Sequence, residues 1–371
     1  MVIKKEKVIQ KNDRAQQLTG TKRLLYCLVL VPIAAAFLQP LFVFSSMSKS
    51  FLASSQILAA DVAVAKQPIQ HTKRSGEIPG VGLCAIMTTE SARYLDEWLD
   101  YYLFAVHFDV IYIYDNSPQN DLQQFGRRKN DKGKVHIRPW RPKQRKGPTQ
   151  DKAYTDCVKQ QEILNTNMAA KTNTTNQTIS YLAFFDDDEF LVLKEHDSVG
   201  AFLRDTCTRE NGCGSISIHW NLYGSAGHQD YAPGIPLTYR FQLRENQTDP
   251  RIKSIVHVPD FVRVKSVHAV ETTPGTYQIN TRQQKDVFGK TTGAASALRV
   301  SDVAVLNHYK YKSIQEYRHK TCKRGRVGGN FRPCNDTILK GDVQDDSAWR
   351  ILIQSLPEYQ KRVEQISPPS P

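Results

Sequence analysis

Residues 181–193, YLAFFDDDEFLVL, set four consecutive carboxylates between two stretches of large apolar side chains. Phe184, Phe185, Phe190, Leu191 and Val192 read as a buried strand, and burying even one unpaired charge is costly. A compensating cation is therefore expected beside Asp186, Asp187, Asp188 and Glu189. Taken as one strand, the segment alternates faces and puts Asp186 and Asp188 on the same side. Two hard oxygen ligands on one face suit Mn²⁺ or Mg²⁺ and leave positions open for phosphate oxygens. The same residues also allow an acidic turn between two short strands, or a calcium site.

The surrounding sequence alternates β and α patterns. GVGLCAIMTT is a short apolar run, SARYLDEWLDYYLFAV has helical spacing, and VIYIYDN is a β-rich run ended by Asp115 and Asn116. KVHIRPW adds a strand and QDKAYTDCVKQQEILN a helix. This order predicts a mostly parallel sheet covered on both faces, with ligands at the carboxyl ends of its strands. The second half, including GSISIHW, PLTYRFQL, KSIVHVPDFVRVKSVHAV and SDVAVLNHY, is β-rich and irregular. A basic helix follows Ser313, and the Pro-rich end, 351–371, reads as a frayed tail.

The amino end predicts the compartment. Leu24 to Phe44 is uncharged over 21 residues, ~31 Å as a helix. Seven basic residues against two acidic ones precede it, which keeps that end in the cytosol. A cleaved signal peptide or a transit peptide are the alternatives. The expected organisation is a cytosolic tail at 1–23, a transmembrane signal anchor at 24–44, a stem at 45–78 and a catalytic domain at 79–350. Everything beyond the anchor then faces the secretory lumen. Sequons at Asn173, Asn176, Asn246 and Asn335 agree with that placement, as do six cysteines beyond the anchor, among which Cys207–Cys213 and Cys322–Cys334 would each close a short polar loop. Free buried thiols are the alternative.

Composition excludes several classes. At 371 residues, 40% hydrophobic and 23% charged, the chain is not dominantly disordered, and 7 Cys and 20 Gly are too few for a disulfide scaffold or collagen. The net charge of +13 points to nucleic acid, anionic membrane or phosphate ligands, but much of it lies in the cytosolic tail. Lys143, Arg145 and Lys146 lack interleaved aromatics, so no nucleic-acid partner is expected. Gly289-Lys290-Thr291 fails as a phosphate loop, because Gln284 stands where its first glycine belongs. G-x-S-x-G does not occur, and no lysine follows the first strand as a sulfotransferase would require. Asp186-x-Asp188 instead matches the D-x-D arrangement by which nucleotide-sugar transferases hold a metal on the donor diphosphate.

Six segments then carry a resemblance in unbroken order: GLCAIMTTESARYLDEWLDYY, QDKAYTDCVKQQ, FFDDDEFLVL, HWNLYGSAGH, KSIVHVPDFV and LNHYKYKSIQEYRHKTCKRG. Over about 80–326 the chain resembles glycosyltransferase family 92, formerly domain of unknown function 23. The resemblance implies a GT-A fold, an α/β mixed sheet with helices on both faces, and a metal-dependent inverting transferase. UDP-galactose is the donor it favours. Asp187 departs from the usual apolar middle residue, and the Lys-rich RPKQRKGPTQ precedes the helix. By the same resemblance Asp186, Asp188 and His308 would hold Mn²⁺ or Mg²⁺, while Thr88, Glu90 and Asp115 lie where such proteins bind uridine and ribose. Lys312 and Arg324, with Lys310, Lys320 and Lys323, would clamp the diphosphate. Plainer readings stand beside these: a core histidine for His308, a helix cap for Thr88 and a solvated face for the lysines. Inversion needs one general base, for which Asp230, His228 and Glu189 are candidates. WNLYGSAGHQD reads as an acceptor loop hinged at Gly224 and Gly227, with Trp220 as a sugar platform. The implied partners are a UDP-sugar, a glycan acceptor and the Golgi membrane, in type II orientation. The alternative is a non-catalytic, membrane-tethered lectin binding glycans through Trp220 and Tyr223.

Overall fold

The computed structural model describes residues 76–366 except 129–130, 132, 142–148, 171–177, 287–293 and 324–340, with only the backbone of Cys322 and Lys323. The expected tail, the anchor at 24–44, nearly all of the stem, three sequons, the Cys322–Cys334 pairing and Arg324 therefore lie outside the described residues. Among those described, no helix is long and apolar enough to cross a membrane.

The strands are β1 (Gly80–Met87), β2 (Val110–Asp115), β3 (Val135–Pro139), β4 (Ile179–Phe184), β5 (Glu189–Leu193), β6 (Cys213–Leu222), β7 (Leu243–Arg244), β8 (Asp249–His257), β9 (Phe261–Val264), β10 (Val270–Thr272), β11 (Tyr277–Asn280), β12 (Ala304–His308) and β13 (Val343–Gln344). Nine form one sheet in the order β3-β2-β1-β4-β8-β6-β12-β5, with β11 also paired to β6. The β3-β2-β1-β4 half is parallel. Beyond β4 the sheet is mixed, because β8 enters antiparallel to both β4 and β6, and β5 runs antiparallel to β12.

Strand alternation sorts side chains to two cores. Leu83, Ala85, Ala183 and Phe185 join Trp98, Tyr101 and Tyr102 on one face. Cys84, Leu182 and Phe184 meet Tyr154, Cys157 and Val158 of the Thr149–Ala169 helix on the other. A Cys84–Cys157 disulfide ties that helix to β1. The expected Cys207–Cys213 bond is present between the Val199–Thr206 helix and β6.

Three expectations are corrected. First, YLAFFDDDEFLVL is not one strand: β4 stops at Phe184, β5 starts at Glu189, and a turn closed by the Glu189 N–H donating to the Asp186 carbonyl at 3.2 Å lies between them. The apolar flanks are continuous in sequence because both strands are buried, and they belong to different positions in the sheet. Second, PLTYRFQL holds a short helix, Leu237–Arg240, whose first N–H groups are accepted by the buried Glu97 carboxylate. Third, 351–366 is not frayed. Helices Ser347–Ser355 and Glu358–Ile366 place Leu352, Tyr359 and Val363 in the main core. Leu352→Ala is accordingly expected to cost about 2–5 kcal/mol, read as a lowered urea midpoint; an unmoved midpoint would contradict this packing.

Candidate active site

The acidic turn is fixed by bonds that leave the Asp186, Asp187 and Asp188 carboxylates facing a cavity. The Asp186 carbonyl accepts from Trp98 Nε1 at 3.1 Å, the Asp188 carbonyl from the Tyr309 N–H at 2.8 Å, and Glu189 Oε2 from the Asp186 N–H at 2.8 Å. Asp186 and Asp188 thus come together through a turn rather than through strand alternation, and with Asp187 they line a cavity of about 520 Å³. The cavity lies at the carboxyl ends of β1, β6 and β12, bounded also by Thr88, Glu90, Asn116 and Gln150.

The expected counter-cations are lysines. Lys253, fully buried on β8, places Nζ 2.9 Å from Asp186 Oδ2 and 3.5 Å from Glu189 Oε2. Lys320 places Nζ 2.8 Å from Asp188 Oδ2, while His308 Nε2 lies 3.4 Å from Oδ1. Asp186 Oδ1 accepts from Gln150 Nε2 at 2.6 Å. Burial works against ionised Asp186 and Asp188. For Asp186, Lys253 overcomes it and lowers the pKa; for Asp188, Lys320 and His308 hold the carboxyl well below the usual range. Glu189 goes the other way, because burial outweighs Lys253 and pushes its pKa well above normal.

The remaining candidates separate clearly. Thr88 and Glu90 line the cavity, and the Thr88 hydroxyl donates to Glu90 Oε2 at 2.6 Å. Thr88 also caps the turn that follows β1, so the capping reading holds alongside the cavity position. Asp115 is fully buried and accepts from the backbone N–H groups of Ser117 and Leu122, leaving the cavity wall to Asn116. Its carboxylate shapes the loop after β2 and does not reach the cavity. Lys312 and Lys310 line the cavity beside the Ile314–Arg318 helix, which Ser313 and Glu316 start with a reciprocal capping box.

Glu189 has no exposure and does not reach the cavity; it positions the turn. His228 Nε2 lies 2.9 Å from the Arg240 carbonyl, which pins its loop. Asp230 is exposed and lines a second depression of about 470 Å³ with Tyr231, Gln315 and Arg318. The two depressions share Arg93 and His319. Gly227 takes a left-handed φ of 83°, as a tight turn requires. Trp220, two residues before the end of β6, lines the cavity but is only 4% exposed, its ring 4.4 Å from that of His308, so it forms part of the wall and not an exposed platform. Tyr223 is fully buried, which removes the lectin reading's second contact.

Sequence reasoning missed Lys253, Gln150 and Glu97. Glu97, buried against the Leu237–Arg240 helix, is pushed by burial to a pKa of about 7 despite three donated hydrogen bonds. A carboxyl raised in the folded state stabilises fully below its unfolded value and loses that contribution as pH rises. Relative to Glu97→Gln, the wild type is expected to lose up to about 3 kcal/mol between pH 4.5 and pH 7. Urea midpoints across that range check this, and parallel pH profiles would refute it.

These features define a mixed α/β protein with a polar cleft, rich in carboxylates and cations, at its strand ends. A family model described as Glycosyltransferase family 92 matches residues 81–335. The chain belongs to that family. A glycosyltransferase family 92 protein of Arabidopsis thaliana is 24% identical over 262 residues, covering 68% of this chain and 39% of its own length. Among solved structures, S. aureus TarS 1-349 aligns over 78% of this chain and 72% of its own at 12% identity with a TM-score of 0.29, and a second S. aureus TarS structure over 48% and 28% at 12% identity with a TM-score of 0.24.

Proposed function

We propose that this chain is a GT-A type inverting glycosyltransferase that moves a sugar, galactose by family likeness, from a UDP-sugar to a glycan acceptor. The observation that carries this is the cavity in which Asp186 and Asp188 face Lys310, Lys312 and Lys320 at the strand ends. The β3-β2-β1-β4 parallel half with the strand-end cleft supports the GT-A assignment.

The donor set suits Mn²⁺ or Mg²⁺ chemically: two carboxylates and an imidazole at one cavity wall. As the side chains stand, no three His, Cys, Asp or Glu among the described residues converge on one point. Asp186, Asp188 and His308 would hold the ion, whose chemistry is to neutralise charge developing on the diphosphate leaving group.

The chain's own residues do the rest. Thr88, Glu90 and Asn116 meet the nucleoside at the end of β1, and Lys310 and Lys312 meet the diphosphate. The acceptor enters by the second depression, where Asp230 takes the proton from its attacking hydroxyl. A bond forms from that oxygen to the anomeric carbon as the bond to the diphosphate breaks on the opposite side, and UDP leaves.

The uncharged run at 24–44, the exposed sequon Asn246 and the two disulfides support a type II Golgi location with this domain in the lumen. The test is nucleotide release by the full chain in detergent, offered a panel of UDP- and GDP-sugars with mixed glycan acceptors, with and without Mn²⁺. Mn²⁺-stimulated UDP release from one donor is expected. Release from no donor, together with no UDP binding by calorimetry, would overturn the proposal.

A further inference from the structure

The two lysines that neutralise the acidic turn are not equivalent. Lys253 is sealed in the sheet with no exposure and bridges Asp186 and Glu189, so removing it from its partners would strand a buried charge. Lys320 sits on the cavity wall at the end of a long stem, its side chain 46% exposed. It can leave Asp188 for water or for a bound anion at little desolvation cost. Asp188, 1% exposed, cannot follow it. The Lys320 ammonium therefore holds the cavity-facing side of Asp188, where a divalent cation would approach.

We propose that Lys320 is a built-in competitor of the divalent cation: it occupies Asp188 in the free protein and passes to the donor's diphosphate when the ion binds. This rests on the metal-dependent reading above and adds a consequence to it. With no diphosphate present, an incoming cation must displace an ammonium from a buried carboxylate and sit beside the released charge. With diphosphate present, the ammonium gains two phosphate groups as partners and the displacement becomes favourable. Ion and nucleotide therefore bind with positive coupling, and the coupling is reciprocal. Glutamine at 320 cannot compete as an ammonium does, whereas arginine keeps the positive charge.

The experiment measures free and bound Mn²⁺ by electron paramagnetic resonance, using the full chain in detergent with no sugar donor, with and without UDP. The wild type is expected to bind Mn²⁺ weakly alone and at least about tenfold more tightly with UDP. Lys320→Gln is expected to bind Mn²⁺ alone about tenfold more tightly than wild type and to lose most of the UDP enhancement. Lys320→Arg should behave like wild type. If wild type binds Mn²⁺ with UDP but Lys320→Gln alone binds no tighter than wild type alone, the competitor role is overturned while the metal reading stands. If neither protein binds Mn²⁺ under any condition, both fall.

Discussion

Asp188→Asn is expected to lower sugar transfer by on the order of 10³-fold at saturating donor while the protein remains folded. The substitution is nearly isosteric, and the turn's backbone bonds from Tyr309 and Trp98 do not involve the side chain. What it removes is a carboxylate only 1% exposed, facing Lys320 and His308 from the cavity wall. An amide there offers a weaker, uncharged ligand and leaves the Lys320 ammonium without a countercharge. The effect should fall on kcat, because the charge matters most as the diphosphate leaves. Steady-state transfer rates with near-UV circular dichroism as the folding control decide it. A variant retaining more than a tenth of wild-type kcat would remove Asp188 from the reaction.

The second large effect is on stability. Lys253→Met deletes the fully buried ammonium that bridges Asp186 and Glu189, and breaking a buried ion pair from one side costs about 3–5 kcal/mol. Methionine fills much of the space, so the loss is electrostatic and little cavity is left. Adding Asp186→Asn removes the ionised carboxylate that Lys253 compensates, and the double variant should recover a substantial part of the lost urea midpoint. Non-additivity of this kind is the signature of a direct interaction. A single variant as stable as wild type would mean that Lys253 does not compensate the acidic turn.

Much of this arrangement was legible in the sequence, and the failures have physical causes. Strands β1, β2, β3 and β12 and the Thr149–Ala169 helix were read within a few residues, because apolar periodicity is local information. The acidic run announced its need for cations, and the cations exist. The identity of one was hidden: Lys253 opens the apolar run KSIVHV, and only the pairing of β8 with β4 brings it to Asp186. The break between β4 and β5 was masked because its turn carries carboxylates instead of glycine or proline. Ser313 to Glu316 is a capping-box spacing that was readable and went unread. The C-terminal helices were obscured by Pro357 and the proline-rich end, although Trp349 with Leu352, and Tyr359 with Val363, already have helical spacing. Asp115 was misplaced because a carboxylate ending a strand looks alike whether it serves a ligand or its own loop.

The acidic turn also joins strands that are not neighbours. β4 and β5 are separated in the sheet by β8, β6 and β12, and all three of those strands come later in the chain. During synthesis, therefore, Asp186 to Glu189 emerge well before Lys253 and Lys320 exist to neutralise them. The nascent turn must stay hydrated, and the sheet must stay open beside β4, until the carboxyl-terminal half has been made and inserted. A ribosome stalled or a message truncated before β12 would leave a chain whose main core lacks its carboxyl-terminal helices and whose cleft has never closed.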